Sequence, residues 1–252
     1  MHKIFAKPLF LGKKVVFLPQ CHSTNSELVD IARNSHEPEG LVLYTDHQQK
    51  GKGQRGNIWI DEPEKNILMS ILLRPKYISI SEQFYLNIIA GLAIVDTLKV
   101  FLGDQVKLKW PNDVYVNDKK ISGILIESNL RGNKLESAVV GIGLNVNQKN
   151  FALSTASSLH IQTGRIFDRK EIMESLLVFV EKWYLKFKNG SKKNILENYY
   201  QILMWRGEKR QFKSADGVFE GEITGIDENG NLKIKTAIEE AVFRIKEIEF
   251  IG

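Results

Sequence analysis

The sequence "VKLKWPNDVYVNDKKISGILIES", residues 106–128, decides the fold class, because apolar and polar side chains alternate along it with the period of a β-strand. It divides into "VKLKW", "DVYV" and "KISGILIES", and Asn117-Asp118 falls where a tight hairpin turn is expected. The segment "ESAVVGIGLNV", residues 136–146, adds a further strand. We expect these strands to lie side by side in one sheet.

The residues before this run predict three more strands and two helices. Thr24 and Glu27 have the spacing of a capping box, and the apolar residues that follow them recur at helical spacing. A long apolar helix is expected to be capped by Ser79 or Ser81, to be stopped by Gly103 and to pack on the sheet. The strands are "VVFLPQ" (15–20), "GLVLYTD" (40–46) and "NILMSILLRP" (66–75).

Two helices and a small β-structure follow the sheet. One helix runs from Asp168 to Asn189, with Asp168 and Glu171 at its capped start, and the other from Lys192 to Trp205. After residue 205, short alternating strands separated by Asp-Gly and Asn-Gly turns predict a small β-barrel. The sequence therefore predicts an α+β fold: a mixed β-sheet backed by helices in residues 1–204, and a C-terminal β-domain in residues 205–252.

The composition narrows the class of protein. With 252 residues, 43% of them hydrophobic, the chain is long enough for a substantial core and is not a disordered tail. A single cysteine rules out an internal disulfide framework and favours the cytoplasm. Four lysines interrupt the apolar pieces of residues 1–20, so neither a signal peptide nor a membrane span is expected.

The net charge of +5 is distributed unevenly. Residues 205–252 carry 8 basic and 10 acidic side chains, which leaves 27 basic against 20 acidic side chains in the rest of the chain. A positive surplus around a glycine-rich loop suits an anionic ligand such as a nucleotide. A solvated, lysine-rich surface is the alternative explanation.

The first candidate site is the loop "HQQKGKGQRGNIW", residues 47–59. Gly51, Gly53 and Gly56 allow positive φ and close backbone approach, so that successive N–H groups form an anion-binding nest. Lys52 and Arg55 would add charge-assisted donors. The loop lacks the Walker and dinucleotide-binding patterns, and a flexible connection remains the alternative. The tryptophan at its end either stacks on a base or packs in the core.

The second candidate site is a strand end and the hairpin that follows it. Lys109, Asn112 and Asp113 bring a cation, an amide and a carboxylate together, although a simple turn also explains the last two. The hairpin returns Lys120 and Gly123 to the same place, where the lysine is either a solvated strand start or a donor to a ligand. In "CHSTNSE", residues 21–27, the central polar side chains either cap a helix or meet a polar ligand group.

Together these motifs resemble the biotin protein ligases. The resemblance covers nearly the whole chain in the order "STN", "QQKGKGQRGNIW", "KWPNDVYVNDKKISGIL", "GIGLNVN" and a small β tail. It implies a core like that of class II aminoacyl-tRNA synthetases and biotin ligases, followed by an SH3-like domain. It also implies an activity in which ATP and Mg²⁺ activate biotin as biotinyl-5′-AMP, and the biotin then passes to one lysine of a carboxylase's carrier domain.

The resemblance implies a role for each motif residue. The residues implied for catalysis are Lys120, Lys52, Arg55 and Asp113. Donors are needed because the biotin carboxylate and the α-phosphate repel each other. No metal ligand is assigned directly, and Mg²⁺ would enter with ATP near Asp113. The residues implied for biotin are Ser23, Thr24, Asn25, Gln48, Gly51, Lys52, Lys120 and Gly123. The residues implied for ATP are Gly53, Arg55, Gly56, Trp59, Asn112, Asp113, Lys120 and Asn145.

The chain also departs from the family pattern. Lys52, Gln54 and Asn57 occupy loop positions that are often arginine, which removes bidentate or charged donors to the adenylate. A first core strand near Val15 leaves no room for the DNA-binding domain of some relatives, so we expect a monomer or homodimer that binds no DNA. The alternatives are a lipoate ligase or transferase on the same fold, and a non-enzymatic module that binds biotin or nucleic acid.

Overall fold

The structure is a computed structural model, and it describes residues 5–132 and 134–251 apart from the side chain of Arg55. Its helices are α1 (Thr24–Asn34), α2 (Phe84–Leu102), α3 (Leu159–Thr163), α4 (Arg169–Lys188) and α5 (Lys192–Ile202). Its strands are β1 (Val15–Leu18), β2 (Val42–Thr45), β3 (Gly51–Lys52), β4 (Ile58–Trp59), β5 (Ile67–Leu73), β6 (Val106–Lys109), β7 (Asp113–Val116), β8 (Lys119–Arg131), β9 (Lys134–Leu144), β10 (Lys209–Ser214), β11 (Gly217–Ile226), β12 (Leu232–Lys235), β13 (Glu240–Phe243) and β14 (Glu249–Ile251).

The main sheet of the described residues has seven strands in the order β1-β2-β5-β9-β8-β7-β6. Strands β1 and β2 are parallel, and every other neighbouring pair is antiparallel. The predicted strands are confirmed, including the hairpin between β7 and β8, where Asn117 and Asp118 have φ of 48° and 59°. Two successive left-handed residues give a type I′ turn, whose twist matches that of the flanking strands.

Helices cover both faces of this sheet. Val42 of β2 and Ile71 of β5 belong to the core that includes α2 and α4. Their chain neighbours Leu43 and Leu72 pack instead with Leu28 of α1. Because successive side chains of a strand point to opposite faces, α1 covers the face opposite to α2 and α4.

Helix α2 is the central apolar element. A short 3₁₀ turn precedes it, in which Ser79 and Glu82 form a capping box. The predicted cap Ser79 thus caps this 3₁₀ turn, and α2 itself begins at Phe84. The helix ends at Leu102, and Gly103 follows it as the C-cap with a φ of 60°. Residues 80–105 are long and apolar enough to cross a membrane, but 61% of their most apolar stretch is buried inside the protein. This segment is therefore a core helix.

The start of α1 differs from the prediction. Ser23 is the N-cap residue, and its backbone carbonyl accepts the N–H of Glu27 at 3.1 Å. Thr24 is the first helical residue, and its hydroxyl bonds to Gln48 and Ser70. The predicted capping box of Thr24 and Glu27 is wrong, because side chains distant in sequence compete for the threonine hydroxyl.

The two helices after the main sheet are confirmed. Helix α4 follows Asp168, whose carboxylate accepts the N–H of Lys170 at 2.7 Å as an N-cap. Helix α5 ends at Ile202, slightly before the predicted end at Trp205.

The C-terminal strands form a second, antiparallel sheet in the order β13-β12-β11-β10-β14. The predicted Asp-Gly and Asn-Gly turns are present, with positive φ at Gly217 and Gly230. Within the described residues the edge strands β13 and β14 are not paired with each other, so the structure shows a sheet consistent with an SH3-like domain and not the closure of a barrel. The indole N–H of Trp110 donates to the carbonyl of Gly230 at 2.8 Å and joins this sheet to the core.

Candidate active site

A cleft of about 450 Å³ opens on the face of the main sheet that α1 covers. Its walls come from the start of α1, the loop between β2 and β5, the turn between β6 and β7, the middle of β8 and β9, and the C-terminal segment 245–250. Parts that are far apart in sequence thus meet around one cavity. A concave site lined by a few convergent polar groups is the expected form of an active site.

Alternate glycines of β9 form the floor of the cleft. A Cβ atom at Gly141 would lie 2.2 Å from Asn25 Oδ1, and one at Gly143 would lie 2.7 Å from the ring of Trp59. Only glycine leaves room for these side chains, so α1 and the glycine loop approach the sheet closely. Sequence reasoning missed this floor, although two glycines two residues apart on one face of a strand are a readable signal for it.

A buried polar cluster lies at the start of α1. Gln48 Oε1 accepts the backbone N–H of Thr24 at 2.8 Å and the Thr24 hydroxyl at 3.2 Å. Ser70 Oγ lies 2.8 Å from Thr24 Oγ1 and 2.6 Å from Asn25 Oδ1. Ser70 was not predicted, and its signal is a lone hydroxyl within the apolar strand "ILMSILL". The residues of this group that were predicted for biotin, and that line the cleft together, are Ser23, Thr24, Asn25 and Gln48.

Lys120 and Asp113 form an ion pair on the wall made by β7 and β8. Lys120 Nζ lies 2.7 Å from Asp113 Oδ1, with 33% of the lysine side chain and 23% of the aspartate side chain exposed. The ammonium is also 5.8 Å from the ring centroid of Trp59. A Cβ atom at Gly123 would lie 3.1 Å from the ring of Trp59, so this glycine makes room for the indole beside the ion pair. The four predicted residues of this wall, Trp59, Asp113, Lys120 and Gly123, all line the cleft.

Asn112 fixes the turn that carries Asp113. Its Nδ2 donates to the carbonyl of Ile124 at 2.7 Å, and its own carbonyl accepts the Ile124 N–H at 2.9 Å. This reciprocal pairing holds the turn against β8. The turn interpretation is correct, and Asn112 also lines the cleft.

Lys109 is a further ammonium at the cleft, which sequence reasoning placed there without giving it a role. Its Nζ lies 5.0 Å from the ring centroid of Tyr115 and 4.9 Å from that of Phe250. Burial lowers the pKa of Lys109, and the charge of Asp113 opposes this shift only in part. Phe250 belongs to the C-terminal sheet, and no local sequence pattern predicts its contact with Lys109.

The glycine loop does not form the predicted anion-binding nest. Strands β3 and β4 pair as a short ribbon around a 3₁₀ turn. The N–H of Gly53 donates to the carbonyl of Asn57 at 2.7 Å and so does not point at an anion. Of the three loop glycines, φ is positive at Gly56 alone, so the nest prediction is wrong for this conformation. Lys52 and Gly53 line the cleft, whereas Gly51 packs against β4 and Gly56 is exposed.

The structure does not bring Asn145 to the cleft. Asn145 is 4% exposed, its Nδ2 donates to the carbonyl of Ser157 at 3.0 Å, and its backbone N–H donates to that of Ile121 at 2.9 Å. These bonds secure the chain where β9 ends. The side chain of Arg55 lies outside the described residues. The nucleotide roles of both residues stay predictions.

The cleft carries a surplus of positive charge. Its ionisable residues are Lys52, Lys109, Lys120 and Lys246 against Asp113 and Glu249. Such a lining stabilises two anions that are brought together. In the part of the chain that the structure describes, no group of three His, Cys, Asp or Glu side chains could hold a metal ion by itself. Asp113 suits an Mg²⁺ ion that arrives on a triphosphate, because Mg²⁺ combines one or two carboxylates with phosphate oxygens and water.

Comparisons with known proteins agree with this geometry. Residues 17–145 match the model of the biotin/lipoate A/B protein ligase family. The chain is 29% identical over 231 residues to the bifunctional ligase/repressor BirA of Bacillus subtilis strain 168, covering 90% of this chain and 70% of that protein. It is 27% identical over 243 residues to the biotin–[acetyl-CoA-carboxylase] ligase of Paracoccus denitrificans, covering 93% of this chain and 100% of that protein.

A solved structure with the same fold is the biotin protein ligase of Aquifex aeolicus in complex with biotin and ATP. It superposes with a TM-score of 0.79 at 29% identity, covering 95% of this chain and 99% of that chain. The predicted mixed sheet backed by helices, with a small C-terminal β-structure, is therefore confirmed.

Proposed function

Since this chain belongs to the biotin/lipoate A/B protein ligase family, we propose that it joins biotin to ATP, releases pyrophosphate, and transfers biotin from biotinyl-5′-AMP to a lysine of a biotin carboxyl carrier domain. The observation that carries the proposal is the lining of one cleft by both the polar cluster of α1 and the Lys120–Asp113 ion pair. Biotin needs both environments at once, because it has a polar ring at one end and a reacting carboxylate at the other.

The polar cluster suits the ureido ring of biotin. This ring presents one carbonyl acceptor and two N–H donors, and Ser23, Thr24 and Asn25 offer hydroxyl and amide groups that meet both needs. A compound that lacks the ureido group would exclude water from these polar side chains without offering them hydrogen bonds in return, so the site selects against it. Lipoate has no ureido group, so this cluster favours biotin over lipoate.

Lys120 acts in the activation step, with Lys52 and Arg55 as further donors. A biotin carboxylate oxygen attacks the α-phosphorus of ATP, the bond to the bridging oxygen breaks, and pyrophosphate leaves with its electron pair. Two anions approach in this step, and a preorganised ammonium lowers the barrier by stabilising the charge that develops. Asp113 would be the residue that holds an Mg²⁺ ion arriving with the triphosphate, and the ion would supply further neutralising charge.

Asp113 also serves the transfer step. The acceptor lysine attacks the carbonyl carbon of the adenylate as a neutral amine, and AMP leaves. The attacking nitrogen must lose a proton as the amide forms, and Asp113 is a carboxylate in the cleft that accepts it.

The carrier domain is the macromolecular partner of this proposal. We place the domain boundary at residue 205, because the strands after it form their own sheet while segment 245–250 reaches the cleft. That segment is the part of the C-terminal domain that would meet the nucleotide or the carrier. We place the enzyme in the cytoplasm, as a monomer or homodimer that acts without DNA or a membrane.

Biotin-dependent release of pyrophosphate from MgATP tests the activation step. We expect Lys120→Ala to lower the rate by about a hundredfold, in the range typical for loss of one transition-state donor. Lys119→Ala is the matched control, because this neighbouring lysine is exposed, and its rate should equal that of the wild type. Release with lipoate in place of biotin would support a lipoate ligase, and no release with either acid would contradict the proposal.

A further inference from the structure

Asp61 places a buried carboxylate at the root of the glycine loop. Its side chain is 0% exposed, and neither Asp61 nor His47 is among the residues that line the cleft. Burial raises the pKa of Asp61, and its contact with His47 opposes that shift. A buried carboxylate is costly unless its partners compensate for the lost water. The neighbours of Asp61 therefore indicate what it is for.

The carboxylate joins the two ends of the loop. Asp61, which follows the ribbon, lies with Oδ2 2.9 Å from Nδ1 of His47, which precedes the ribbon. Its Oδ1 accepts the backbone N–H of Gln48 at 3.4 Å. The two carboxylate oxygens thus contact His47 and Gln48, the two residues at the start of the loop.

Gln48 connects this contact to the cleft. The backbone N–H of Thr24 can only donate, so the Gln48 atom 2.8 Å from it is the amide oxygen, and Nε2 is the end left for other partners. Gln48 and Thr24 both line the cleft, and Thr24 continues to Ser70. Asp61 therefore contacts the backbone of Gln48, and the side chain of the same glutamine bonds to the polar cluster.

We propose that Asp61 is a positioning residue for biotin recognition: together with His47 it holds the backbone of Gln48 so that the Gln48 side chain meets the biotin ring. The inference rests on the proposed function and concerns the same site. Because Asp61 lies away from the reacting atoms, its loss should weaken biotin binding and leave the use of ATP unchanged.

Calorimetric binding of biotin to the full chain tests this role, with the KM for ATP and the melting temperature measured beside it. We expect Asp61→Ala to raise the Kd for biotin by about tenfold, the effect of losing hydrogen bonds to a charged group, with the KM for ATP unchanged. Asp61→Asn should recover most of the affinity, because its amide oxygen still accepts the Gln48 N–H. Glu62→Gln is the matched control and removes the adjacent carboxylate. Within the described residues, the side chain of Glu62 makes no contact with Gln48, so this variant should bind biotin like the wild type.

Three results would overturn the inference. The first is a folded Asp61→Ala protein with the wild-type Kd for biotin. The second is an equal rise of the Kd for biotin and the KM for ATP in Asp61→Ala, because it would indicate a general loss of order in the cleft. If Asp61→Ala does not fold, His47→Ala replaces it as the test. We expect His47→Ala to raise the Kd for biotin by about threefold, and an unchanged Kd would overturn the inference. A wild-type protein that binds biotin but transfers none would contradict the proposed function and leave this positioning role standing.

Discussion

Lys109 is held at the cleft by aromatic side chains. Its ammonium lies between the rings of Tyr115 and Phe250, so it is held near Lys120 without flexible loops. Since activation gathers negative charge in the cleft, we expect Lys109→Met to lower kcat/KM for ATP by about tenfold and to leave biotin binding unchanged. Lys107→Met, on the same strand and exposed, is the matched control. An unchanged kcat/KM would assign Lys109 to packing alone.

The same residue predicts how stability depends on pH. Burial lowers the pKa of Lys109, so the folded protein binds this proton less tightly than the unfolded chain does. Its contribution to stability is present above the unfolded pKa of about 10.4 and is lost as the pH falls through the folded pKa. Lys109→Met should therefore unfold with a larger free energy than the wild type near neutral pH, and this difference should shrink as the pH rises toward that value. Denaturant unfolding at several pH values measures it, and a difference that does not vary with pH would contradict the prediction.

At the scale of elements, the β3-β4 ribbon is a small part of the site with exposed apolar side chains beside it. Each strand has two residues, and Ile58 and Ile60 are 76% and 67% exposed. We expect biotin with MgATP to slow amide hydrogen exchange in residues 51–58 by about tenfold, because ligand contacts replace missing packing. The turn at residues 188–192 is the control and should not change. Equal exchange with and without the ligands would contradict the prediction that they order the ribbon.

Elements were predictable from sequence where their determinants are local. The β7–β8 hairpin rests on Asn117 and Asp118, because asparagine and aspartate adopt left-handed backbone more readily than most residues do. The predicted capping box of α1 is wrong because the hydroxyl of Thr24 is bonded to Gln48 and Ser70. The predicted anion-binding nest is wrong because the N–H of Gly53 donates to a carbonyl within the ribbon. Local spacing does not contain contacts of this kind.

At the scale of the whole molecule, the site depends on the docking of two sheets. The indole of Trp110 donates to the Gly230 carbonyl, and segment 245–250 completes the cleft wall. We expect Trp110→Phe to lower the free energy of unfolding by about 1 kcal/mol and to raise the KM for ATP. Trp183→Phe also loses an indole hydrogen bond, to Asp96, but lies away from the cleft, so it should lower stability without changing the KM. Equal effects of both substitutions on the KM would contradict the role of docking.

The motif residues of the cleft were predictable, but their assembly was not. Asp113, Lys120 and Gly123 lie within one hairpin, so their proximity follows from strand pairing. The contact of Lys109 with Phe250 joins parts of the chain that are distant in sequence, and hydrophobic patterns do not specify such pairs.

The intact mass of a biotin carrier domain, incubated with this protein, biotin and MgATP, tests the central claim most directly. We predict the gain of one biotinyl group that requires ATP, does not occur with lipoate, is lost with Lys120→Ala and is kept with Lys119→Ala. A carrier domain of unchanged mass, in the presence of folded protein that binds both biotin and ATP, would contradict the assignment of this cleft to biotin transfer.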